Sequence, residues 1–285
     1  MSEPRSGQLV AGLALMALSI TASAGTIRYA TWNISQLDHK LHQNQHHKGL
    51  APRQRLKLIA KAMNQFDLVA VQNIRSEHIA NRLNRAINSV SSARWDHELG
   101  PTIGKGSRKT HQGFFWRTSA IGISTNTYAL KGHGHPFKKP PVSAVFTIRH
   151  DKSQFVATSI RVKRHTSELK KLTAYWGFLG QRYGKKMPIV LSGDFHASAQ
   201  RPVFNKLTQF AVPIINSTRT TVPSHANGGR SFDNIWLDRS ILSHHMPKSG
   251  VLKLVKSTHM SRKQVRHLIS DHIPVYTYLS IPKSR

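Results

Sequence analysis

Apolar segments of strand length alternate with amphipathic helical segments, and this alternation constrains the fold more than any other feature of the sequence. The predicted strands cover residues 26–34, 67–74, 113–117, 120–125, 142–149, 154–162, 188–192, 232–237 and 273–279. Helices are predicted over residues 52–66 and 76–90, which are amphipathic with apolar positions near every 3.6 residues. A basic helix is predicted over 167–183 and a shorter one near 202–210. Mixed strands and helices in two similar halves indicate an α/β fold in which two sheets pack together with helices outside.

Small polar groups stand where four of these strands meet their loops. The four segments are Thr31–Asn33, Ser192–His196, Ser231–Asn234 and Ser270–Pro274. A single aspartate after a strand is usually a turn or cap residue. The chain has only 12 acidic residues, however, and three aspartates stand at these margins. Because loops on strand ends are where rigid scaffolds display reactive groups, the set indicates a functional site.

The chain is strongly basic. It has 42 Lys and Arg against 12 Asp and Glu, which gives a formal net charge of +30. Such a field attracts polyanions and repels other copies of the chain, so we expect a monomer that binds nucleic acid. Anionic lipids or polysaccharides are the alternative partners that charge alone leaves open.

The N-terminus has the pattern of a secretory leader. Arg5 precedes an apolar run over residues 9–20, and small residues lead to Ala24. We expect cleavage after Ala24, a protein that is secreted or periplasmic, and one domain over residues 25–285. The chain has no cysteine, so the exported fold relies on its core or on bound ions rather than on disulfides. No later segment is apolar enough to cross a bilayer.

The motifs TWN, VQN, SGDFH, FDNI and SDHIPV follow one another over residues 26–281 in an order that resembles the endonuclease/exonuclease/phosphatase family. Within it the chain resembles deoxyribonuclease I and the cytolethal distending toxin B subunit. The resemblance implies a four-layer α/β sandwich of the deoxyribonuclease I-like type, in which two packed mixed sheets carry outer helices. It also implies a divalent metal ion and hydrolysis of a phosphodiester by activated water. Mg²⁺ is the expected ion, with Mn²⁺ or Ca²⁺ as alternatives.

The residue chemistry supports these roles. Carboxylate and amide oxygens bind hard divalent ions, so Asn33, Asn73 and Asp271 are the candidate metal ligands, and Asp194 is a further catalytic carboxylate. A histidine oriented by a carboxylate removes a proton from water, which assigns His272 as the base and Asp233 as its partner. The resemblance also places Glu98 where the family has a carboxylate that orients a second catalytic histidine.

Three positions depart from the family pattern. Asn73 replaces an ion-binding glutamate with a neutral amide, so metal affinity is expected to fall. Arg161 stands where a second catalytic histidine is expected, and it can clamp a phosphate but cannot exchange a proton near neutral pH. His196 replaces a transition-state amide donor. Glu77 is a substitute ligand only if the strand end at Asn73 is bulged.

These observations leave three hypotheses. The first is a metal-dependent endonuclease that acts on DNA, or on RNA, with little sequence preference, using Arg75 and Arg117 for backbone contacts. The second is a catalytically degenerate relative that only binds DNA. The third, a phosphatase, agrees poorly with a net charge of +30.

Overall fold

The computed structural model describes residues 25–35, 37, 52–104, 106, 109–130, 137–162, 167–225, 228–242 and 246–282. The predicted leader, residues 1–24, lies outside the described residues. Among the helices described, none combines the length and apolarity that crossing a bilayer requires.

The first sheet carries the N- and C-terminal strands side by side. Its strands are β1 Thr26–Asn33, β2 Leu68–Ile74, β3 Trp95–Leu99, β4 His111–Arg117, β12 Ser249–Val251 and β13 Val275–Ser280. These six described strands lie in the spatial order β12, β13, β1, β2, β4, β3, with β1 parallel to β2 and the other neighbours antiparallel. The parallel register pairs Asn33 with Gln72, so the carboxyl ends of β1 and β2 lie together.

The second sheet has seven strands in the part of the chain that the structure describes. They are β5 Ile121–Ile123, β6 Tyr128–Ala129, β7 Val142–Ile148, β8 Gln154–Arg161, β9 Ile189–Asp194, β10 Ala211–Pro213 and β11 Asp233–Asp238. Six lie in the order β10, β11, β9, β8, β7, β5, and β6 pairs with β7. Strands β7 and β8 form the predicted hairpin, while β8 and β9 run parallel.

The helices cover the outer faces of the two sheets. Their bounds are α1 Pro52–Met63, α2 Glu77–Asn88, α3 Leu172–Tyr183, α4 Leu254–Thr258 and α5 Arg262–Gln264, the last continued by a π-helical turn over Val265–Ile269. Ser76 caps α2 as predicted, because its side chain accepts a hydrogen bond from the backbone N–H of Ile79. The predicted third helix is shorter than expected, since a 3₁₀ turn over Leu169–Lys171 precedes α3.

Three apolar clusters separate these layers. One lies under α1 and α2 and contains Trp32 and Leu83, one lies between the sheets around Phe114 and Phe146, and one lies under α3 around Trp176. The order is helices, sheet, sheet, helix, which confirms the predicted four-layer α/β sandwich. Because the strand ends that carry the polar motifs meet at one edge of the two sheets, the fold brings those motifs together.

Candidate active site

Strand ends from both sheets meet at the site. In the second sheet Asp194, the last residue of β9, is paired with Asp233, the first residue of β11, and with Arg161, the last residue of β8. Asn33 ends β1 in the first sheet, and its amide nitrogen donates to Oδ2 of Asp194 at 2.8 Å. This hydrogen bond joins the two sheets at the position predicted for the polar motifs.

His272 and Asp233 form a buried pair. Nδ1 of His272 lies 2.8 Å from Oδ2 of Asp233, and the Thr220 hydroxyl donates to the same oxygen at 2.8 Å. Burial alone would lower the pKa of His272, but the charge and hydrogen bond of Asp233 outweigh it and raise the pKa to about 9. The predicted contact between His272 and the Asp233 carboxylate is confirmed. The other ring nitrogen, Nε2, faces Asn33 and lies 3.3 Å from the amide nitrogen of Asn33.

The backbone around His272 is also fixed. Ser270 donates its hydroxyl to the carbonyl of Asn33 at 2.8 Å, and its oxygen accepts from the His272 backbone N–H at 3.0 Å. The indole N–H of Trp32 donates to the His272 carbonyl at 3.0 Å. The imidazole is therefore held on both its ring and its main chain, which suits a group that must meet a reacting atom in one orientation.

Asn73 lies in a β-bulge at the end of β2. The register with β4 shifts between Gln72 and Ile74, and Asn73 has a left-handed backbone with φ of 66°. Asparagine tolerates this conformation better than most residues. The bulge directs the Asn73 amide to donate to Oδ1 of Asn33 at 2.7 Å. Glu77 is not a substitute ligand despite the bulge, because its carboxylate lies 3.5 Å from Nε2 of His97 and is 62% exposed.

Arg161 and His196 both lie against Asp194. Nε of Arg161 lies 3.6 Å from Oδ2, and Nδ1 of His196 lies 3.1 Å from Oδ1. Burial lowers the pKa of His196, and although Asp194 opposes this, the positive charge of Arg161 adds to it. The structure therefore places both departures from the family pattern in the site, as predicted, with His196 favoured in its neutral form.

Lys139 also reaches the site, which the sequence did not indicate. Its ammonium lies 3.5 Å from Oδ1 of Asn73 and 3.4 Å from the hydroxyl of Thr110. Lys139 stands in a Lys-Pro segment far from every motif, so no sequence signal distinguishes it from the other lysines. Ser35 was also missed, and its hydroxyl donates to Asp271.

A cleft of about 410 Å³ opens over these groups. Its lining residues are Asn33, Ser35, Asn73, Arg75, Thr110, Arg161, His196, Asp271 and His272. Asp194 and Asp233 are buried beneath it. Arg75 thus has the position expected of a residue that contacts substrate.

Two predicted site residues lie away from the cleft. Glu98 does not orient a histidine, because its carboxylate accepts the backbone N–H of Thr127 at 2.6 Å and it does not line the cleft. Arg117 lies beyond Trp116, which pairs with the first residue of β2, so it is at the opposite end of the sheet from Asn73. Its guanidinium binds Oδ1 of Asp67 at 3.2 Å and the carbonyl of Asn64 at 2.9 Å. Arg117 therefore supports the fold at that end of the sheet and does not line the cleft.

The three candidate metal ligands line one cleft, but they do not fit a tightly held divalent ion. Asp271 is the only carboxylate among them, whereas magnesium and calcium sites depend on acidic oxygens. Oδ1 of Asn33 accepts from Asn73, and Oδ1 of Asn73 faces the Lys139 ammonium. A cation placed there would meet a resident positive charge.

A second set of ligand types lies deeper. Asp194, Asp233 and His272 bring ligand atoms within 4.8 Å of one another. These groups are bound to each other or to Asn33 and Thr220 through the hydrogen bonds described above. The arrangement is that of an oriented base rather than of an open metal cage.

Comparison with known proteins supports this interpretation of the fold. A deoxyribonuclease from Thioalkalivibrio sp. (strain K90mix) is 23% identical over 280 residues, covering 92% of this chain and 73% of the relative. The endonuclease/exonuclease/phosphatase from Bacteroides vulgatus superimposes with a TM-score of 0.65 at 15% identity, covering 90% of this chain and 99% of that structure. This chain has the endonuclease/exonuclease/phosphatase fold.

The same fold in ANGEL2, a 2',3'-cyclic phosphatase, matches 90% of this chain and 95% of that structure, with a TM-score of 0.61 at 12% identity. No family model matches the chain. The predicted resemblance is confirmed at the level of the fold, and the fold carries both nucleases and phosphatases. The deoxyribonuclease relative supports a nuclease-like hydrolase.

Proposed function

We propose that this protein is an endonuclease that hydrolyses phosphodiester bonds in DNA with little sequence preference. The observation that carries the proposal is the buried His272–Asp233 pair beneath a cleft whose lining includes Arg75 and Arg161. A base held by a carboxylate supplies proton transfer. Cations beside it supply attraction for a phosphate.

In this proposal the neutral form of His272, whose fraction grows as pH rises toward its pKa of about 9, accepts a proton from water through Nε2 while the water oxygen forms a bond to phosphorus. Asp233 stabilises the imidazolium that results, and Thr220 holds the Asp233 carboxylate in place. Arg161 faces the charge that develops on the phosphoryl oxygens. Asn33 fixes Asp194 and the ring of His272 relative to each other.

The proposed substrate is a polymer rather than a small phosphate. A net charge of +30 far exceeds what one phosphate group requires, whereas a nucleic acid gains affinity with every contact to its backbone. The name of the Thioalkalivibrio relative supports DNA as the polymer. RNA shares the same backbone charge and is tested beside DNA.

The test is nicking of supercoiled plasmid by the purified protein, with Mg²⁺, Mn²⁺ or Ca²⁺ added singly and with EDTA. Mg²⁺ is the ion predicted from the sequence. His272→Ala is expected to lower the rate by ~10² to 10⁴. His150→Ala, a change of an exposed histidine in the β7–β8 turn, controls for loss of an imidazole and is expected to have no effect.

Equal nicking by wild type and His272→Ala in every buffer would contradict the proposal. If the protein binds DNA but nicks it in none of these buffers, the DNA-binding hypothesis replaces the nuclease. A single-stranded RNA substrate tested in the same buffers shows whether the protein distinguishes RNA from DNA.

The proposed site of action is outside the cytoplasm, after cleavage following Ala24. The support is the leader pattern in residues 5–24. Mass spectrometry of protein recovered from the periplasm or medium of an expressing bacterium is expected to give an N-terminus at Gly25. Recovery of the uncleaved chain from the cytoplasm alone would contradict export.

A further inference from the structure

Lys139 occupies the part of the site where the fold's sequence pattern would place an ion-binding carboxylate. Its ammonium lies 3.5 Å from Oδ1 of Asn73, the residue that replaces the expected glutamate, and 3.4 Å from the Thr110 hydroxyl. Both partners are buried, with Asn73 and Thr110 each 8% exposed. A cation and a neutral amide thus stand together where the family pattern has an anion and a metal.

The segment that carries Lys139 is held on both sides. Phe137 is buried and packs edge-to-face on Tyr175 with ring centroids 5.5 Å apart. The backbone N–H of Lys138 donates to Oε1 of Glu168 at 3.1 Å, and the carbonyl of Pro140 accepts from Gln112 at 2.8 Å. Lys139 itself is half-buried. These anchors hold the backbone from which the Lys139 side chain reaches Asn73 and Thr110, which favours a preorganised electrostatic group.

The balance of charge at the site favours an anion over a divalent cation. Asp233 is paired with His272, and Asp194 is shared among Asn33, Arg161 and His196. The carboxylate of Asp271, which accepts from the Ser35 hydroxyl, lines the cleft with Arg75, and Lys139 contacts the lining residue Asn73. Since like charges repel strongly where solvent screening is weak, a divalent ion is disfavoured there and a phosphate is attracted.

We propose that Lys139, together with Arg161, supplies the fixed positive charge that binds the scissile phosphodiester, and that hydrolysis requires no divalent ion. This proposal rests on the nuclease function proposed above. The water oxygen bonds to phosphorus, one P–O ester bond breaks, and the water proton goes to Nε2 of His272 in its neutral form. The leaving oxygen takes a proton from solvent, while Lys139 and Arg161 neutralise the non-bridging oxygens.

The first experiment measures plasmid nicking in EDTA and in Mg²⁺. Wild type is expected to retain its rate in EDTA to within about threefold, and Lys139→Met to lose ~10²-fold or more in both buffers, the scale of losing one transition-state donor. Lys139→Arg is expected to keep most of the activity. Lys138→Met removes the charge of an exposed neighbour and is the matched control, expected to match wild type.

The outcomes separate this proposal from the nuclease function. Nicking by wild type only when a divalent ion is present, or full activity of Lys139→Met in EDTA, would overturn the role of Lys139 and leave the nuclease standing. Nicking in no buffer would overturn both. Thermal unfolding identifies any variant that fails to fold. If Lys139→Met fails to fold, the activity of Lys139→Arg is compared with that of wild type instead.

The second experiment reads ion binding directly. Electron paramagnetic resonance of Mn²⁺ titrated into wild-type protein without substrate is expected to show no bound ion at submillimolar concentration. The Asn73→Glu/Lys139→Met variant exchanges the cation for a carboxylate and is expected to bind Mn²⁺ at least tenfold more tightly, because acidic oxygens bind hard divalent ions. Tight Mn²⁺ binding by wild type would overturn the proposal.

Discussion

His272 makes the stability of the metal-free fold depend on pH. Its pKa, ordinarily 6.5, rises to about 9 in the folded protein, since Asp233 outweighs the opposing effect of burial. A group whose pKa rises on folding stabilises in full below 6.5, and that contribution is lost as pH rises through 9. We expect the melting temperature in EDTA to fall between pH 7 and pH 9.5.

His272→Gln is expected to lose much of this pH dependence, whereas His150→Gln is expected to keep it. One pKa unit corresponds to about 1.4 kcal/mol, so the effect is on the order of 1 to 3 kcal/mol in this buried pair. Calorimetry at several pH values measures it. The same dependence of stability on pH in His272→Gln and wild type would show that other groups cause the loss of stability at alkaline pH.

Arg75 and Arg117 were predicted to bind DNA together, and the structure separates them. Arg117→Met breaks a partly buried ion pair with Asp67 and is expected to lower the free energy of unfolding by about 1 to 3 kcal/mol, with no change in DNA affinity. Arg75→Met is expected to weaken DNA binding without such destabilisation. Urea unfolding measures the change in stability, and fluorescence anisotropy with a labelled duplex measures DNA affinity. Loss of DNA affinity in Arg117→Met together with loss of stability in Arg75→Met would contradict these roles.

The functional residues differ in how far sequence could predict them. His272 and Asp233 were predicted together because each stands in a recognisable motif at a strand end. Lys139 was not, because its position depends on Phe137, Glu168 and Gln112, which meet only after distant segments pack. Glu98 was assigned by analogy, and in this chain the histidine that it would orient is absent from its hydrogen bonds.

Strand β9 depends on Gly193 for its approach to β8. Gly193 has φ of +146°, and a Cβ there would lie 1.9 Å from the carbonyl oxygen of Ile160. Gly193→Ala must therefore push the two strands apart at the residue before Asp194. We expect a loss of about 2 kcal/mol or more in stability and a loss of nicking.

Gly177→Ala in α3 is the matched control, because a Cβ there meets nothing within 4 Å, and alanine favours the helix. It is expected to be neutral or slightly stabilising. Guanidinium unfolding of both variants gives the comparison. Equal stability of Gly193→Ala and wild type would mean that the β8–β9 contact yields without cost.

Elements with strong periodicity were predicted, and those set by tertiary packing were not. The apolar strands β7, β8 and β9 and the capped helix α2 follow from local pattern. Strand β3 was missed, since its sequence WDHEL lacks an apolar alternation and it forms by pairing with β4. The bulge at Asn73 was also beyond prediction, because it is defined by register between two strands.

The charge of the whole molecule predicts how DNA binding responds to salt. With 42 Lys and Arg against 12 acidic residues, we expect contacts to extend along the DNA backbone beyond the cleft. Each neutralised phosphate contributes about −0.9 to the slope of log affinity against log salt concentration. His272→Ala, in which slow cutting is expected to leave the duplex intact during the measurement, is expected to show a slope of about −4 or steeper.

This slope distinguishes a polymer substrate from a small one. A phosphatase acting on one phosphate group has about one or two charges to neutralise, so its substrate affinity changes little between 50 and 200 mM salt, whereas several backbone contacts cost orders of magnitude. Anisotropy with a 20-base-pair duplex over that range of salt concentration measures the slope for DNA. Binding of inorganic phosphate over the same range provides the comparison with a single phosphate group. A shallow slope for the duplex would mean that the basic surface lies away from the bound DNA, and it would favour a small phosphate ester as the substrate of the His272 cleft.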